Sequence, residues 1–190
     1  MRSISGVIAT LLLLIACTGC DNNEEAFPDP AFKACVEESL RDYSEIVGQK
    51  YNIENDKDLE IIKMIACTKV GIVSVKGAEK LLNVERLDLN QNQIESVEPL
   101  RNLKKLEILH LDINKIRVIE PLTEAENLRT LTLTNNYIND FRPLKVLVQL
   151  KSLGVALNCA TDLSQFDEIK AVIDGILIDG INAQTPEKCQ

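Results

Sequence analysis

The single histidine of the chain, His110, is flanked at regular spacing by residues that could share acid–base chemistry. Asp88 lies 22 residues before it and Thr132 lies 22 residues after it. Held side by side, these side chains would supply the acid, base and nucleophile of a hydrolytic triad. A triad also needs a water-excluding pocket with oxyanion donors, and threonine is a weak nucleophile away from a chain N-terminus. We therefore expect a solvated polar row and no enzymatic activity.

Asp88, His110 and Asp112 also have the side-chain types that bind a divalent metal. On a flat, open face they would lack enclosure and the supporting hydrogen bonds that orient metal ligands. The sequence contains no glycine-rich phosphate loop, nucleophile elbow or HExxH motif. We therefore predict neither a metal site nor a cofactor.

The step of 22 residues extends through the middle of the chain. LDLNQNQIESVEPL (Leu87–Leu100), LHLDINKIRVIEPL (Leu109–Leu122) and LTLTNNYINDFRPL (Leu131–Leu144) repeat one pattern, and Leu153 begins a fourth unit. The LxL alternation predicts a short strand with two inward side chains. The later apolar positions, which in the fourth unit are Leu163, Phe166, Ile169 and Val172, predict the interior of each coil. One unit cannot bury its apolar face alone, so stacked units must share a core.

Each LxL strand is followed by an asparagine at the same position of the repeat. These residues are Asn92, Asn114, Asn136 and Asn158. A side-chain amide in the turn can bond backbone groups that would otherwise be buried without partners, which predicts a ladder of stacked asparagines. Pro99, Pro121 and Pro143 would fix φ on the outer side of the coils.

This pattern, LxxLxxLxLxxNxI with the ending I..I.PL, resembles the 22-residue leucine-rich repeat of bacterial internalins. It extends over residues 65–174, as about five repeats of which the first and last are degenerate. The resemblance implies an α/β fold: a right-handed leucine-rich repeat solenoid with a parallel concave sheet, an N-terminal helical cap and stapled ends. Helical spacing places the first cap helix along Phe32, Cys35, Val36, Leu40, Tyr43 and Val47. We predict that this cap spans residues 31–64, with a second short helix through DKDLEIIK. We expect a C-terminal cap over 175–190, with a final strand near Ile176 to Ile178.

Four cysteines, Cys35, Cys67, Cys159 and Cys189, allow three pairings. With the cap that the resemblance implies, Cys35 on its helix faces Cys67 on the first strand. Cys159 follows the last asparagine of the repeats and Cys189 lies next to the C-terminus. We therefore expect the pairs 35–67 and 159–189, formed in an oxidising compartment.

The N-terminal stretch MRSISGVIATLLLLIAC has one basic residue and an apolar run too short to span a bilayer, which predicts a signal peptide over residues 1–16. LIAC resembles the lipobox of bacterial lipoproteins, which implies a lipid on Cys17. Cys20 in CTGC is the alternative, and its lipidation would leave an even number of cysteines downstream. Residues 17–30 are polar and acidic and predict a tether. Such an anchor would hold the protein at a bacterial membrane, in the periplasm or on the cell surface.

The charge balance narrows the choice of partner. With 21 basic and 29 acidic residues the net charge is −8, which disfavours nucleic acid. In-register strands would align outward residues in rows about 4.8 Å apart. The central row is Ala66, Asp88, His110, Thr132 and Gly154, and its neighbours are Met64, Arg86, Ile108, Thr130, Ser152 and Thr68, Asn90, Asp112, Thr134, Ala156.

We predict a monomeric, membrane-anchored interaction module that binds a protein or glycan on this concave face. The predicted contact residues are Arg86, Asp88, Ile108, His110, Asp112, Thr130 and Thr132. The alternative is a structural lipoprotein of the cell envelope without a dedicated ligand.

Overall fold

Six short parallel strands form one sheet along the inner side of a solenoid, in chain order. The computed structural model describes residues 25–189, so the predicted signal peptide, Cys17 and Cys20 lie outside the described residues. The strands are β1 (Met64–Ala66), β2 (Arg86–Asp88), β3 (Ile108–His110), β4 (Thr130–Thr132), β5 (Ser152–Gly154) and β6 (Leu177–Asp179). The α-helices are α1 (Pro30–Val47), α2 (Asp56–Leu59) and α3 (Ser164–Val172).

The strands pair in the register that the 22-residue step predicts. Leu87 aligns with Leu109, Leu109 with Leu131, and Leu131 with Leu153. Each of these leucines is fully buried, so successive coils stack an unbroken apolar column. The predicted leucine-rich repeat solenoid with a parallel concave sheet is confirmed.

Each middle coil returns on the convex side through a short 3-10 helix. The four helices there are Ala78–Lys80, Glu98–Leu100, Glu120–Glu124 and Arg142–Val146. The last three carry a proline in their first turn, where a missing backbone N–H removes no helical hydrogen bond and the ring presets φ. The repeated prolines therefore mark where the chain turns back.

A buried asparagine links each coil to the coil before it. The Oδ1 atom of Asn114 accepts the N–H of Ile94 at 3.0 Å, and its Nδ2 atom donates to the carbonyls of Leu89 and Leu111 at 3.0 and 3.1 Å. The same contacts recur at Asn92, Asn136 and Asn158. Each amide satisfies backbone groups that water cannot reach, and fixes the spacing between coils.

Asp29 fastens the N-terminal cap to the first coil. One carboxylate oxygen accepts the N–H groups of Ala31 and Phe32, both at 3.0 Å, and so caps α1. The other accepts the N–H groups of Val73 and Ser74 at 2.8 and 2.9 Å. One side chain thereby joins the start of a helix to a loop more than 40 residues away.

These contacts set the titration of Asp29. Burial raises the pKa of its carboxyl, but the N–H bonds from Ser74, Phe32, Val73 and Ala31 together bring the pKa below its usual value. Because the folded-state pKa is lowered, the carboxylate stabilises the fold fully above the usual carboxyl pKa. That stabilisation is lost as the pH falls through the lowered value.

The packed part of the chain begins before the predicted cap boundary. Phe27 and Asp29, which the sequence placed in the tether, are buried, and the Phe27 ring packs near Phe32. The cap helix is apolar on its inner face only as far as Leu40, so Tyr43 and Val47 are exposed. The second helix, expected through DKDLEIIK, is a single turn.

The coil that begins at Leu153 departs from the predicted frame. Leu163 and Val172, expected in the core, are 38% and 55% exposed, whereas Ile173 is buried. The reason is α3, which replaces the 3-10 turn of the other coils and has a different helical period. Phe166, Ile169 and Ile173 then share its inner face at spacings of three and four residues.

The longer helix also shifts the last strand. Ser152 pairs with Leu177, a step of 25 residues instead of 22. β6 therefore begins at Leu177, one residue after the Ile176 expected from the sequence. Beyond β6 the tail covers the end of the solenoid. Gln184 Nε2 donates to the carbonyl of Val155 at 2.9 Å, the position that a ladder asparagine of a further coil would occupy.

Lys188 holds the end of this tail against the turns that follow β4 and β5. Its ammonium donates to Asn135 Oδ1 at 3.1 Å and to the carbonyl of Leu157 at 2.5 Å. The same nitrogen lies 4.9 Å from the ring centroid of Tyr137, which is a cation–π contact. Burial lowers the pKa of Lys188. The tail is thus fixed by charge as well as by backbone bonds.

Two disulfides staple the ends. Cys35 on α1 is bonded to Cys67, the residue after β1, and Cys159 after the last ladder asparagine is bonded to Cys189 in the tail. Their Cα–Cα distances are 5.9 and 6.0 Å. The two bonds join residues 32 and 30 positions apart. A crosslink that closes a loop of this length typically contributes about 2–4 kcal/mol. Both bonds join an end coil of the repeats to the cap that covers it.

Replacing Asn114 with alanine is expected to lower the free energy of unfolding by about 1–3 kcal/mol, because the N–H of Ile94 and two carbonyls lose their buried partner. Urea denaturation measures the change. The exposed Asn102→Ala variant is the matched control and should stay near the parent. An Asn114→Ala loss below about 0.3 kcal/mol would contradict a structural role for the ladder.

Candidate interaction surface

The strand register brings the predicted contact residues together on the concave face. Arg86, Ile108 and Thr130 are consecutive partners in one outward row, and Asp88, His110 and Thr132 are consecutive partners in the next. Arg86 is exposed and the other five are half-buried. The surface is therefore a continuous strip across the three central strands.

Asp112 organises the middle of this strip. Its carboxylate accepts the hydroxyl of Thr132 at 2.8 Å and the backbone N–H of Thr134 at 2.7 Å. Its own N–H donates to Asn90 Oδ1 at 2.6 Å. These bonds connect three successive coils through polar side chains at the rim of the sheet. Asp112 is thus already engaged as an acceptor and holds its neighbours in fixed orientations.

The direction of the hydrogen bonds argues against a catalytic triad. His110 Nδ1 lies 3.1 Å from Thr132 Oγ1. The single hydroxyl hydrogen of Thr132 is directed to Asp112, so the hydrogen between His110 and Thr132 must belong to the imidazole. A general base would have to accept that proton instead.

Asp88 does not complete the catalytic arrangement. Its carboxylate accepts the hydroxyl of Thr68 at 3.0 Å and the N–H of Asn90 at 3.1 Å. These partners lie towards the preceding coil and along its own strand, away from His110. Within residues 25–189 no three histidine, cysteine, aspartate or glutamate residues are grouped to hold a metal ion.

Sequence reasoning selected the strip but missed the residues that order it. Asn90, Thr68 and Thr134 were placed in the flanking row without a role, yet they hydrogen-bond Asp88 and Asp112. The signal was their alignment in the 22-residue frame with short polar side chains at neighbouring positions. Ile113 was also missed: it is exposed next to Asp112 and has a φ of 57°, which is unusual for a β-branched residue.

The comparisons with known proteins agree with this architecture. A family model described as leucine-rich repeats (2 copies) matches residues 82–124. No curated protein matches the sequence. Among solved structures, the chain is similar to an internalin (InlF) from Listeria monocytogenes, with 26% identity and a TM-score of 0.65 over 80% of this chain. The chain spans 49% of that internalin. The functional domain of InlJ from the same organism, which includes a cysteine ladder, is 18% identical over 74% of this chain and 39% of that one, with a TM-score of 0.52.

These matches confirm the internalin-like leucine-rich repeat fold that the sequence predicts. The matches show that the chain is similar to leucine-rich repeat domains of internalins in its repeats and its fold. No helix among residues 25–189 is long and apolar enough to cross a membrane.

The neutral imidazole of His110 is expected to carry its hydrogen on Nδ1, because Thr132 can only accept from it. A long-range nitrogen–proton NMR correlation measures the tautomer, and the single histidine makes the assignment unambiguous. In Thr132→Val, which removes the acceptor, the population should move towards the Nε2–H form. A dominant Nε2–H form in the parent would revive the general-base interpretation of this row.

Proposed function

We propose that this protein is a lipid-anchored interaction module whose concave face binds a protein or glycan partner outside the cytoplasm. The internalin-like fold supports the general part of this proposal, since leucine-rich repeat domains of this kind bind protein partners. The observation that supports binding at the concave face is the strip formed by Arg86, Ile108, Thr130 and the Asp112 network. This strip is open to solvent, and the sheet holds its residues in register.

The rigidity of the strip favours binding. The side chains of Asp112 and Thr132 are held by hydrogen bonds before any ligand arrives, so little of their freedom would be lost in a complex. Ile108 contributes an apolar side chain between Arg86 and Thr130. The combination of charged, hydroxyl and apolar groups suits a polar protein surface or a glycan.

The proposed location has two supports. The Cys35–Cys67 and Cys159–Cys189 disulfides are typical of proteins that fold in an oxidising compartment. The N-terminal sequence has the lipobox-like LIAC, with Cys17 as the preferred lipid attachment residue and Cys20 as the alternative. An acylated cysteine would hold the solenoid at a bacterial membrane, in the periplasm or on the surface.

Thr130→Arg is expected to abolish capture of the partner from crosslinked envelope extracts, because it places a long cation at the centre of the strip. The threonine side chain lies outside the Asp112 network, so the melting temperature should be unchanged. Thr161→Arg makes the same substitution at an exposed residue outside the concave rows and should retain the partner. Equal capture by both variants, or no captured partner with the parent, would favour a structural lipoprotein without a dedicated ligand.

Cys17→Ala is expected to abolish incorporation of labelled palmitate, whereas Cys20→Ala should leave it intact. Mass spectrometry of the N-terminal peptide would identify the acylated residue directly. The opposite result would transfer the anchor to Cys20, and absence of labelling in the parent protein would refute the lipoprotein proposal.

A further inference from the structure

A groove of about 460 Å³ separates α1 from the first strand of the sheet. The helix lines it with Glu38, Ser39, Asp42, Tyr43 and Ile46, and the chain leading into β1 lines it with Ile61, Lys63, Met64 and Ala66. The Cys35–Cys67 disulfide crosslinks the two walls. The groove is therefore held at a fixed width by a covalent bond.

Three of the exposed side chains of this groove are large and apolar. Ile46 is 81% exposed, Met64 is 61% exposed and Tyr43 is 40% exposed. Tyr43 and Ile46 are three residues apart on α1, so they lie on the same face of the helix. Met64 opposes them from β1. A cluster of exposed apolar side chains with polar residues at its edge is typical of an interaction site, whereas single exposed apolar residues are not.

The wall of the groove carries negative charge without a counterion. Glu38 and Asp42 are four residues apart on α1, a spacing at which like charges destabilise a helix. Neither carboxylate makes an ion pair or hydrogen bond within the described residues. Lys63, across the groove, is paired with Glu85 at 3.3 Å. The two acids thus leave negative charge on this wall that no ion pair or hydrogen bond within the described residues neutralises.

We propose that this groove binds a segment of a partner polypeptide in which an apolar side chain adjoins lysine or arginine. The apolar side chain packs among Tyr43, Ile46 and Met64, and the cation pairs with Glu38 and Asp42. Charge complementarity selects this occupant over a neutral or acidic segment. The groove lies beside the concave strip, and binding in it does not depend on the function proposed for the strip.

The groove is continuous with the concave face. Met64 and Ala66 pair directly with Arg86 and Asp88 in the outward rows of the sheet. A segment bound beside α1 can therefore extend onto the strip, or bind alone. Binding at two adjacent surfaces would raise the overall affinity for a partner that engages both.

The probes are three short synthetic peptides of equal length, which alternate lysine with leucine, lysine with serine, and glutamate with leucine. Calorimetric titration into the purified full chain should show binding of the lysine–leucine peptide alone. Ile46→Ser and Met64→Ser should each weaken it by about tenfold through lost apolar contact. Val148→Ser, at a comparably exposed apolar residue outside the groove, is the control and should leave the affinity unchanged.

The charge requirement is tested separately. The double variant Glu38→Gln/Asp42→Asn should weaken binding about tenfold at low salt and reduce its salt dependence, with no loss of melting temperature because the two carboxylates have no partners. Glu126→Gln/Asp174→Asn changes the net charge equally at exposed residues elsewhere and should have little effect.

Equal binding of the lysine–serine peptide, or equal weakening by the two double variants, would show general attraction to an acidic chain and overturn the proposal. Unchanged affinity in both Ile46→Ser and Met64→Ser would also overturn it. Thr130→Arg should bind the peptide normally, so the groove and the concave strip can fail independently.

Discussion

The hydrogen bonds of the buried asparagine amides are the constraint on which the remaining structure depends. A coil has to turn sharply after each strand, and the turn leaves backbone N–H and carbonyl groups in the interior, where water cannot compensate them. Asn114 satisfies groups in its own coil and in the coil before it, so it ties the turn and the stacking distance together. Because the strands then lie in strict register, positions 22 residues apart become neighbours. The concave strip exists only as a result of that register.

Periodic features of the fold could be predicted from the sequence because each repeat poses the same packing problem. Leucine columns, asparagines and the convex prolines recur at one spacing, and the two disulfides join the end coils to the caps that cover them. The two ends of the solenoid do not repeat, so their structure could be predicted only in part. In the coil that begins at Leu153, the choice of an α-helix over a 3-10 turn exchanges Val172 for Ile173 in the core, and local sequence does not reveal that choice. The double role of Asp29, which joins residues more than 40 positions apart, also becomes visible only in three dimensions.

The position of the candidate site could be predicted from the sequence, but the hydrogen bonds between its residues could not. Frame positions identified which side chains face outward, but they gave no direction to the bonds between them. Two nearby acids, Asp88 and Asp112, are possible partners for His110 and Thr132, and the structure shows that Asp112 takes the hydroxyl hydrogen. The residues that resemble a triad in sequence thus hydrogen-bond their neighbours and order a polar surface. Such a surface suits recognition, where orientation matters and no proton has to move.

Gln184 allows the number of coils to vary. Every coil presents one carbonyl to the next: Cys67, Leu89, Leu111 and Leu133 each give theirs to a ladder asparagine, and Val155 gives its own to Gln184 in the tail. Since this bond uses a backbone group common to all units, it does not depend on how many units precede the last ones, whose Asn135, Tyr137 and Cys159 hold the rest of the tail. Duplication or loss of an internal unit would therefore leave the terminator intact. The length of the concave face can then change in steps of one repeat, with the same C-terminal tail covering the last coil.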